Sequence, residues 1–319
     1  MTVLITGAGM IGRLTAAQLR VRGERVVMVD VSPREREELH GAEFELCDVT
    51  DFARLGEVVE RHAVTSIVHT AALLSTAIRR DPLAGIRVNT MGTANVLEIA
   101  RQKQLRRVVL ASSTTVMYSA FASLPAAPIP EDFQYRIVSE RPASIYAATK
   151  VASEHLALAY ASLYDLSVVV LRYGAVLGAG AEAATSVPGR LLDCLLKAGR
   201  SGAPARLDDP ILLWNGREEF VDTRDCAAAN VAALYAPAPT QRVYNIATGQ
   251  WFSLDEFIEV VRQRYPSLCI AELRLPEGGF AAFPHVRPAP SDVSAARREL
   301  GFEAGYSLAD TVAHFADSL

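Results

Sequence analysis

The chain has 319 residues, 50% of them apolar and 21% charged, a balance that suits a globular protein with a large core and excludes a disordered one. A formal charge of −4 gives no electrostatic case for nucleic acid or an anionic membrane, and no apolar stretch approaches the ~20 residues that span a bilayer. Cys47, Cys194, Cys226 and Cys269 lack C-x-x-C spacing and read as buried, reduced thiols, while the six histidines show no ligand spacing, so no metal site is expected.

Residues 2–6 are a β-branched and aliphatic run, the pattern of a buried parallel strand. The run starts so near Met1 that no signal peptide is expected, which makes a cytoplasmic location the default. Gly7, Gly9 and Gly12 follow at G-x-G-x-x-G spacing with Met10 and Ile11 between them, and an apolar periodic segment then predicts a helix over 11–22. In that strand–loop–helix context the glycines allow a tight turn and close backbone approach to a pyrophosphate, and the helix start offers free N–H groups to the phosphates. The next strand, 25–30, ends in Asp30. A carboxylate there accepts hydrogen bonds from ribose hydroxyls and repels a 2′-phosphate, which favours NAD over NADP, although Arg34 lies close by in sequence.

Further strands are predicted at 43–47, 66–70, 107–112 and 167–173, and helices at 51–62, 82–102 and 145–164. Alternating strands and helices with near-continuous apolar strands predict a doubly wound parallel sheet of the α/β, Rossmann-type class. After Gly174 the rhythm changes: a small-residue loop at 178–186, a helix near 188–199, and a Gly/Pro-rich segment through Pro210. Residues 218–222, a helix at 224–235 and a strand at 243–246 read as further elements of the first layer, with short helices near 253–264 and 293–299. The expected division is a nucleotide-binding domain from 1–178 and 215–248, and a smaller C-terminal-side substrate lobe from 179–214 and 249–319.

Tyr146 and Lys150 stand four apart on the helix predicted over 145–164, so they share a face. A cation beside a phenol lowers its pKa, and such a pair can move a proton onto or off a substrate hydroxyl near neutral pH.

With the glycine loop, Asp30, Asp48-Val49, the run from His69 to Ala72, Asn89, Ser112-Ser113, Tyr146, Lys150, the run from Leu171 to Tyr173, the run from Tyr244 to Ile246 and the segment from Arg297 to Phe302, the chain resembles the extended short-chain dehydrogenase/reductase family of epimerases, dehydratases and dehydrogenases. The loop is one residue shorter than that family's usual G-x-x-G-x-x-G. The resemblance implies an NAD-dependent enzyme in which Ser113, with Thr114 and Thr115 as neighbours able to substitute, holds the reacting oxygen. Tyr146 is then the acid–base group, and Lys150 also holds the nicotinamide ribose. It further implies Asp48 (with Val49 beside it) at the adenine, Ala71 and Ala72 along the nicotinamide half, Tyr173 as a wall against the nicotinamide ring, and Asn89 beneath the site as a brace. His69 reads as a packed strand residue.

Sugar 4,6-dehydratases carry an Asp-Glu pair after the hydroxyl residue and decarboxylating members a Glu and an Arg, so Thr114 and Thr115 point instead to simple redox or epimerisation. Two substrates compete. Ser75 after the alanines and the Thr185-Ser186 loop resemble the threonine-dehydrogenase-like branch, which takes small hydroxy substrates. Arg287-Pro288 resembles the pyrophosphate grip of sugar-nucleotide enzymes. The reading favours a sugar or sugar-nucleotide. Members of the superfamily that only sense NAD(P) typically lose the Tyr or the Lys, and this chain keeps both. Relatives pair through the helices at 82–102 and 145–164, so a homodimer is expected, with Ala152, Leu156, Ala159, Tyr160 and Leu163 on the second helix.

Overall fold

The alternating apolar strands assemble as their period demands. In a computed structural model, which describes residues 1–140, 142–179 and 185–318, seven strands form one parallel sheet. They are β1 (Thr2–Thr6), β2 (Arg25–Asp30), β3 (Glu43–Leu46), β4 (Ser66–His69), β5 (Arg107–Ser113), β6 (Val168–Tyr173) and, after intervening elements, β10 (Val243–Ile246). Their order across the sheet is β3-β2-β1-β4-β5-β6-β10, and every pairing is parallel. Register aligns Thr6 with His69 and His69 with Leu110, so the carboxyl ends of β1, β4 and β5 lie side by side at one edge.

The two faces of the sheet are read by parity. Val3, Ile5, Val26, Met28, Val169 and Leu171 pack against α1 (Met10–Val21) and the later helix α8 (Thr223–Tyr235). Leu4, Val27, Val29, Val108, Leu110, Val168 and Val170 pack against α2 (Phe52–Arg61), α5 (Gly92–Gln102) and α6 (Ile145–Tyr164). Each fully buried aliphatic side chain contributes ~1.5–3 kcal/mol, so both faces must be covered and the sheet is doubly wound.

The helix expected over 82–102 is not continuous. After two short turns, α3 (Ser75–Ile78) and α4 (Pro82–Gly85), the chain passes through a π-helical turn at Ile86–Met91 before α5. Asn89 lies in that turn, and its carbonyl accepts from the hydroxyls of Thr93 (2.6 Å) and Ser153 (2.9 Å). Side chains that compete for helix carbonyls in this way accompany such irregular turns, which recur at functional sites.

The strand at 218–222 does not join the main sheet as expected. β9 (Glu218–Asp222) lies between β7 (Ala175–Leu177) and β11 (Trp251–Phe252) in a separate sheet, while β8 (Ala205–Leu207) pairs with β12 (Ile270–Leu273). These strands and α7 (Val187–Ser201), α9 (Leu254–Arg264) and α10 (Leu308–Asp317) enclose a further apolar cluster around Trp214, Phe220, Phe257 and Phe280. Trp214 stands edge-on to Phe257, centroids 5.7 Å apart, and its indole N–H donates to the Phe252 carbonyl at 3.0 Å. The segment expected as a helix at 293–299 widens into a π turn at Ala296–Leu300 ended by Gly301. The four cysteines are free, and contrary to the expectation of burial Cys269 is exposed and Cys194 half-buried. Among the described residues no helix is long and apolar enough to cross a membrane.

Candidate active site at the carboxyl edge of the sheet

Gly7 closes the turn after β1 at φ +87°, and a Cβ there would sit 2.7 Å from the Ala71 nitrogen. Gly12 is tighter still: its Cβ would lie 2.1 Å from the Gly7 carbonyl oxygen. Gly9 is the N-cap of α1 and brings no side-chain cap, so the N–H groups that Met10, Ile11 and Gly12 carry into the first turn meet no capping side chain. A backbone cradle of this kind at a helix start fits a dinucleotide pyrophosphate, and the loop keeps that form although it is one residue short. Asp30 stands beside it at the end of β2, accepting from Ala8 N at 2.8 Å and Ser32 N at 3.0 Å, with the Arg34 guanidinium 4.0 Å away. Asp48 is exposed near that corner, its carboxylate capping Thr50 N at 2.8 Å. Val49 is buried against Gly92 instead.

Ser113 closes β5 and Tyr146 opens α6, which brings the Ser113 hydroxyl close enough to the phenol to favour its ionised form. The Ser113 oxygen also accepts from Thr115 N at 3.2 Å. Lys150, one turn beyond Tyr146, is 6% exposed and donates to the Ala111 carbonyl at 2.9 Å. Its ammonium lies 5.8 Å from the centre of the Tyr146 ring. Burial pushes Lys150 down to about 8, and the Glu154 carboxylate opposes that shift. Burial likewise pushes the Tyr146 phenol up to about 12, against the pull of the Ser113 hydroxyl. The lowering of Tyr146 expected from Lys150 is not among the influences on the phenol: desolvation dominates, and the ammonium is turned to a backbone carbonyl.

Asn89 is buried and spans the loop after β4, donating to Leu73 O at 3.0 Å and to Thr149 Oγ1 at 3.1 Å while accepting from Leu73 N at 2.8 Å. It fits the expected brace, and its side chain is consumed in holding the segment of Ala71 and Ala72 against α6 rather than in touching a cofactor. Ser75 begins α3 in the same segment, and Thr76 donates to the Thr185 carbonyl at 3.1 Å, so the loops of Ser75 and Thr185-Ser186 meet. The Ser186 hydroxyl caps α7 by accepting from Gly189 N at 3.1 Å. The remainder of the small-residue loop at 180–184 lies outside the described residues.

Two expected contacts are corrected. Tyr173 was expected against the nicotinamide, but it shares the parity of Val169 and Leu171 and turns into the layer of α1 and α8. Its hydroxyl donates to Asn230 Oδ1 at 2.6 Å, and Asn230 donates to Thr15 of α1 at 3.1 Å, so Tyr173 props the helix behind the glycine loop. Arg287 was expected to grip a substrate. It is buried, donating to Glu218 at 3.0 Å, Glu219 at 2.6 Å, Ser291 Oγ at 2.8 Å and the Ala289 carbonyl at 3.0 Å. Those carboxylates consume the fork that a pyrophosphate would need.

Residues 3–247 match the family model for the NAD dependent epimerase/dehydratase family. The chain belongs to that family. Within it, the sequence is 28% identical to the mitochondrial L-threonine 3-dehydrogenase of Bos taurus, over 97% of this chain and 80% of that one. It is 24% identical to UDP-glucuronate 4-epimerase 4 of Arabidopsis thaliana, over 95% of this chain and 71% of that one. Among solved structures it resembles a GalE-like L-threonine dehydrogenase from Cupriavidus necator in its holo form, with TM-score 0.82, 28% identity and full coverage of both chains. MoeE5 in complex with UDP-glucose and NAD superposes with TM-score 0.79 and 27% identity over 99% of this chain and 98% of that one. As a family member of extended short-chain dehydrogenase/reductase type, the protein is an NAD-dependent epimerase or dehydrogenase, and the glycine cradle and Asp30 described above fit that cofactor.

Glu154 falls outside the motifs quoted from the sequence. It stands four residues after Lys150 on the buried side of α6, and a single acid in the helix at that spacing from the lysine was the available signal. Thr6 and Thr93, which bracket His69 at 2.6 and 3.1 Å, had no signal of their own.

Proposed function

We propose that the protein oxidises the carbinol carbon of a sugar or sugar-nucleotide, with Tyr146 as the acid–base group, Ser113 as the holder of the reacting oxygen and Lys150 as the cation beside them. The observation that carries the reading is the convergence of Ser113 at the end of β5 with Tyr146 at the start of α6, one helical turn from Lys150 and at the same sheet edge as the glycine cradle. NAD, when bound, supplies the hydride acceptor; Gly7, Gly9 and the start of α1 would hold its pyrophosphate and Asp30 its adenosine ribose. Ser113 would fix the substrate hydroxyl by hydrogen bonding, and Tyr146 would remove its proton, with Lys150 favouring the phenolate. Thr114 and Thr115 offer no carboxylate for elimination, which leaves epimerisation or dehydrogenation. The measurement is turnover of Tyr146→Phe, which should fall by ~10² or more while NAD binding persists. Near-normal turnover removes Tyr146 from the mechanism.

The likeness to a UDP-glucuronate 4-epimerase and to MoeE5 with UDP-glucose supports the sugar class. One observation favours a small hydroxy acid or amino acid instead: Arg287 is held by Glu218 and Glu219 and offers no pyrophosphate grip. The test is NADH absorbance over a panel of UDP-, GDP- and dTDP-sugars, free sugars, hydroxy acids and L-threonine; activity on small acids alone ends the sugar reading. The proposal includes a cytoplasmic homodimer joined through α5 and α6, supported by Met91, Leu158 and Leu163, which lie exposed on or beside these helices. It also keeps the two-part division, supported by the separate apolar cluster around Trp214.

A further inference from the structure

Buried charge next to Lys150 has no part in the chemistry just proposed. Glu154 is 3% exposed and Arg172 7% exposed. Arg172 donates from Nε and Nη2 to the two carboxylate oxygens at 2.7–3.2 Å, and from Nη1 to the Glu131 carbonyl at 2.8 Å. A guanidinium fork would satisfy the carboxylate on its own, yet Glu154 Oε1 also takes the Ser112 hydroxyl at 2.5 Å. Ser112 lies between the two residues of β5 that the site uses. Ala111 before it gives its carbonyl to Lys150 Nζ, and Ser113 after it meets Tyr146. One carboxylate thus clamps the strand end from which both groups are held.

We propose that Glu154 is a positioning residue for hydride transfer, fixing the end of β5 through Ser112 and holding Lys150 in its charged form from one helical turn away. This rests on the roles given above to Tyr146 and Lys150. The remaining charged and titratable groups packed around the pair set the competition. His69 on β4 is buried and neutral; burial first, then the Lys150 cation, pushes it down to about 3. Tyr146 on α6 carries no charge while its phenol is protonated. Outside the pair, Glu131, Asp132, His155 and Arg242 line a cleft of about 360 Å³ whose wall includes Glu154 and Arg172. Glu154, one helical turn along α6, is the carboxylate whose attraction acts on Lys150, and it opposes the desolvation that favours the neutral amine.

The chain has only three lysines, Lys103, Lys150 and Lys197, so Lys150 can be titrated directly by NMR of protein labelled at the lysine ε-carbon, without cofactor or substrate. Glu154→Gln keeps a hydrogen-bonding partner for Ser112 and removes the charge. The Lys150 midpoint should fall by roughly one pH unit or more, and the alkaline limb of kcat should move to lower pH with it, with the substrate KM nearly unchanged. Because Glu154→Gln leaves Arg172 buried and uncompensated, the double variant Glu154→Gln with Arg172→Met is measured as well, and it should show the same downward shift. An unmoved midpoint in both variants overturns the proposal. So does a double variant that returns to the wild-type midpoint, since Glu154 would then be only the counter-ion of Arg172. If Tyr146→Phe keeps its activity, the parent reading fails while the Lys150 titration still reports on Glu154.

Discussion

Acid should destabilise this fold through His69. The ring is 2% exposed, and its two nitrogens face hydroxyls, Nδ1 at 2.6 Å from Thr6 and Nε2 at 3.1 Å from Thr93. Thr93 spends its own proton on the Asn89 carbonyl at 2.6 Å, so it accepts from Nε2–H, and Nδ1 accepts from Thr6. That pattern defines one neutral tautomer and has no place for a second ring proton. Burial, with the Lys150 cation adding to it, pushes His69 from 6.5 down to about 3. The sign follows from linkage. Below pH 6.5 the unfolded chain binds a proton that the native protein refuses, so stability is lost as pH falls and the loss continues to about pH 3. Going from pH 7 to pH 5 exposes roughly 1.5 units of that difference at ~1.4 kcal/mol each, or about 2 kcal/mol. The assay is urea denaturation at both pH values for the wild type and His69→Gln, with m held constant between them. Other groups titrate in both proteins and cancel in the difference. The gap in stability between wild type and variant should change by about 2 kcal/mol toward the variant at pH 5. Parallel pH dependence in the two proteins would refute the assignment.

Arg287→Met should destabilise by about 3–5 kcal/mol in urea melts, because it leaves Glu218 and Glu219 buried without their cation; adding Glu218→Gln should recover part of the loss. Asp30→Ala should weaken NAD binding and narrow the preference over NADP in isothermal titration, and tighter NADP than NAD in the unmutated protein contradicts the assigned role. Leu163→Glu, on the exposed face of α6, should shift light scattering from the mass of two chains to that of one; a wild type that stays at one chain's mass across a wide concentration range contradicts the dimer.

What the sequence made legible is what depends on neighbours along the chain. The main sheet followed from apolar runs of strand length, the glycine loop from its spacing, and the Tyr146–Lys150 pair from the helical repeat. The errors came where a residue's orientation or partner is set across space. A motif position marks Tyr173 but not the face it takes, although the alternation through Val169 and Leu171 already placed it with α1 and α8. Arg287 finds its carboxylates 69 and 68 residues away, on a strand that the sequence assigned to the wrong sheet. The π turn around Asn89 arises from hydroxyls on α5 and α6 that bid for its carbonyl, a competition that no local propensity records.

The charge of the catalytic pair shows the same limit. Spacing brings Lys150 to the face of Tyr146, where a cation is expected to lower the phenol. In the fold both groups are desolvated, the ammonium is drawn to Ala111, and burial raises Tyr146 to about 12 while it lowers Lys150 to about 8. A phenol in that state is a poor base at neutral pH. Proton removal from a substrate hydroxyl therefore depends on Lys150 remaining an ammonium, and the buried carboxylate of Glu154 is the group in the fold that opposes its neutralisation. Reading the motif alone gives the pair its identity; the burial around it decides how much each member must be tuned.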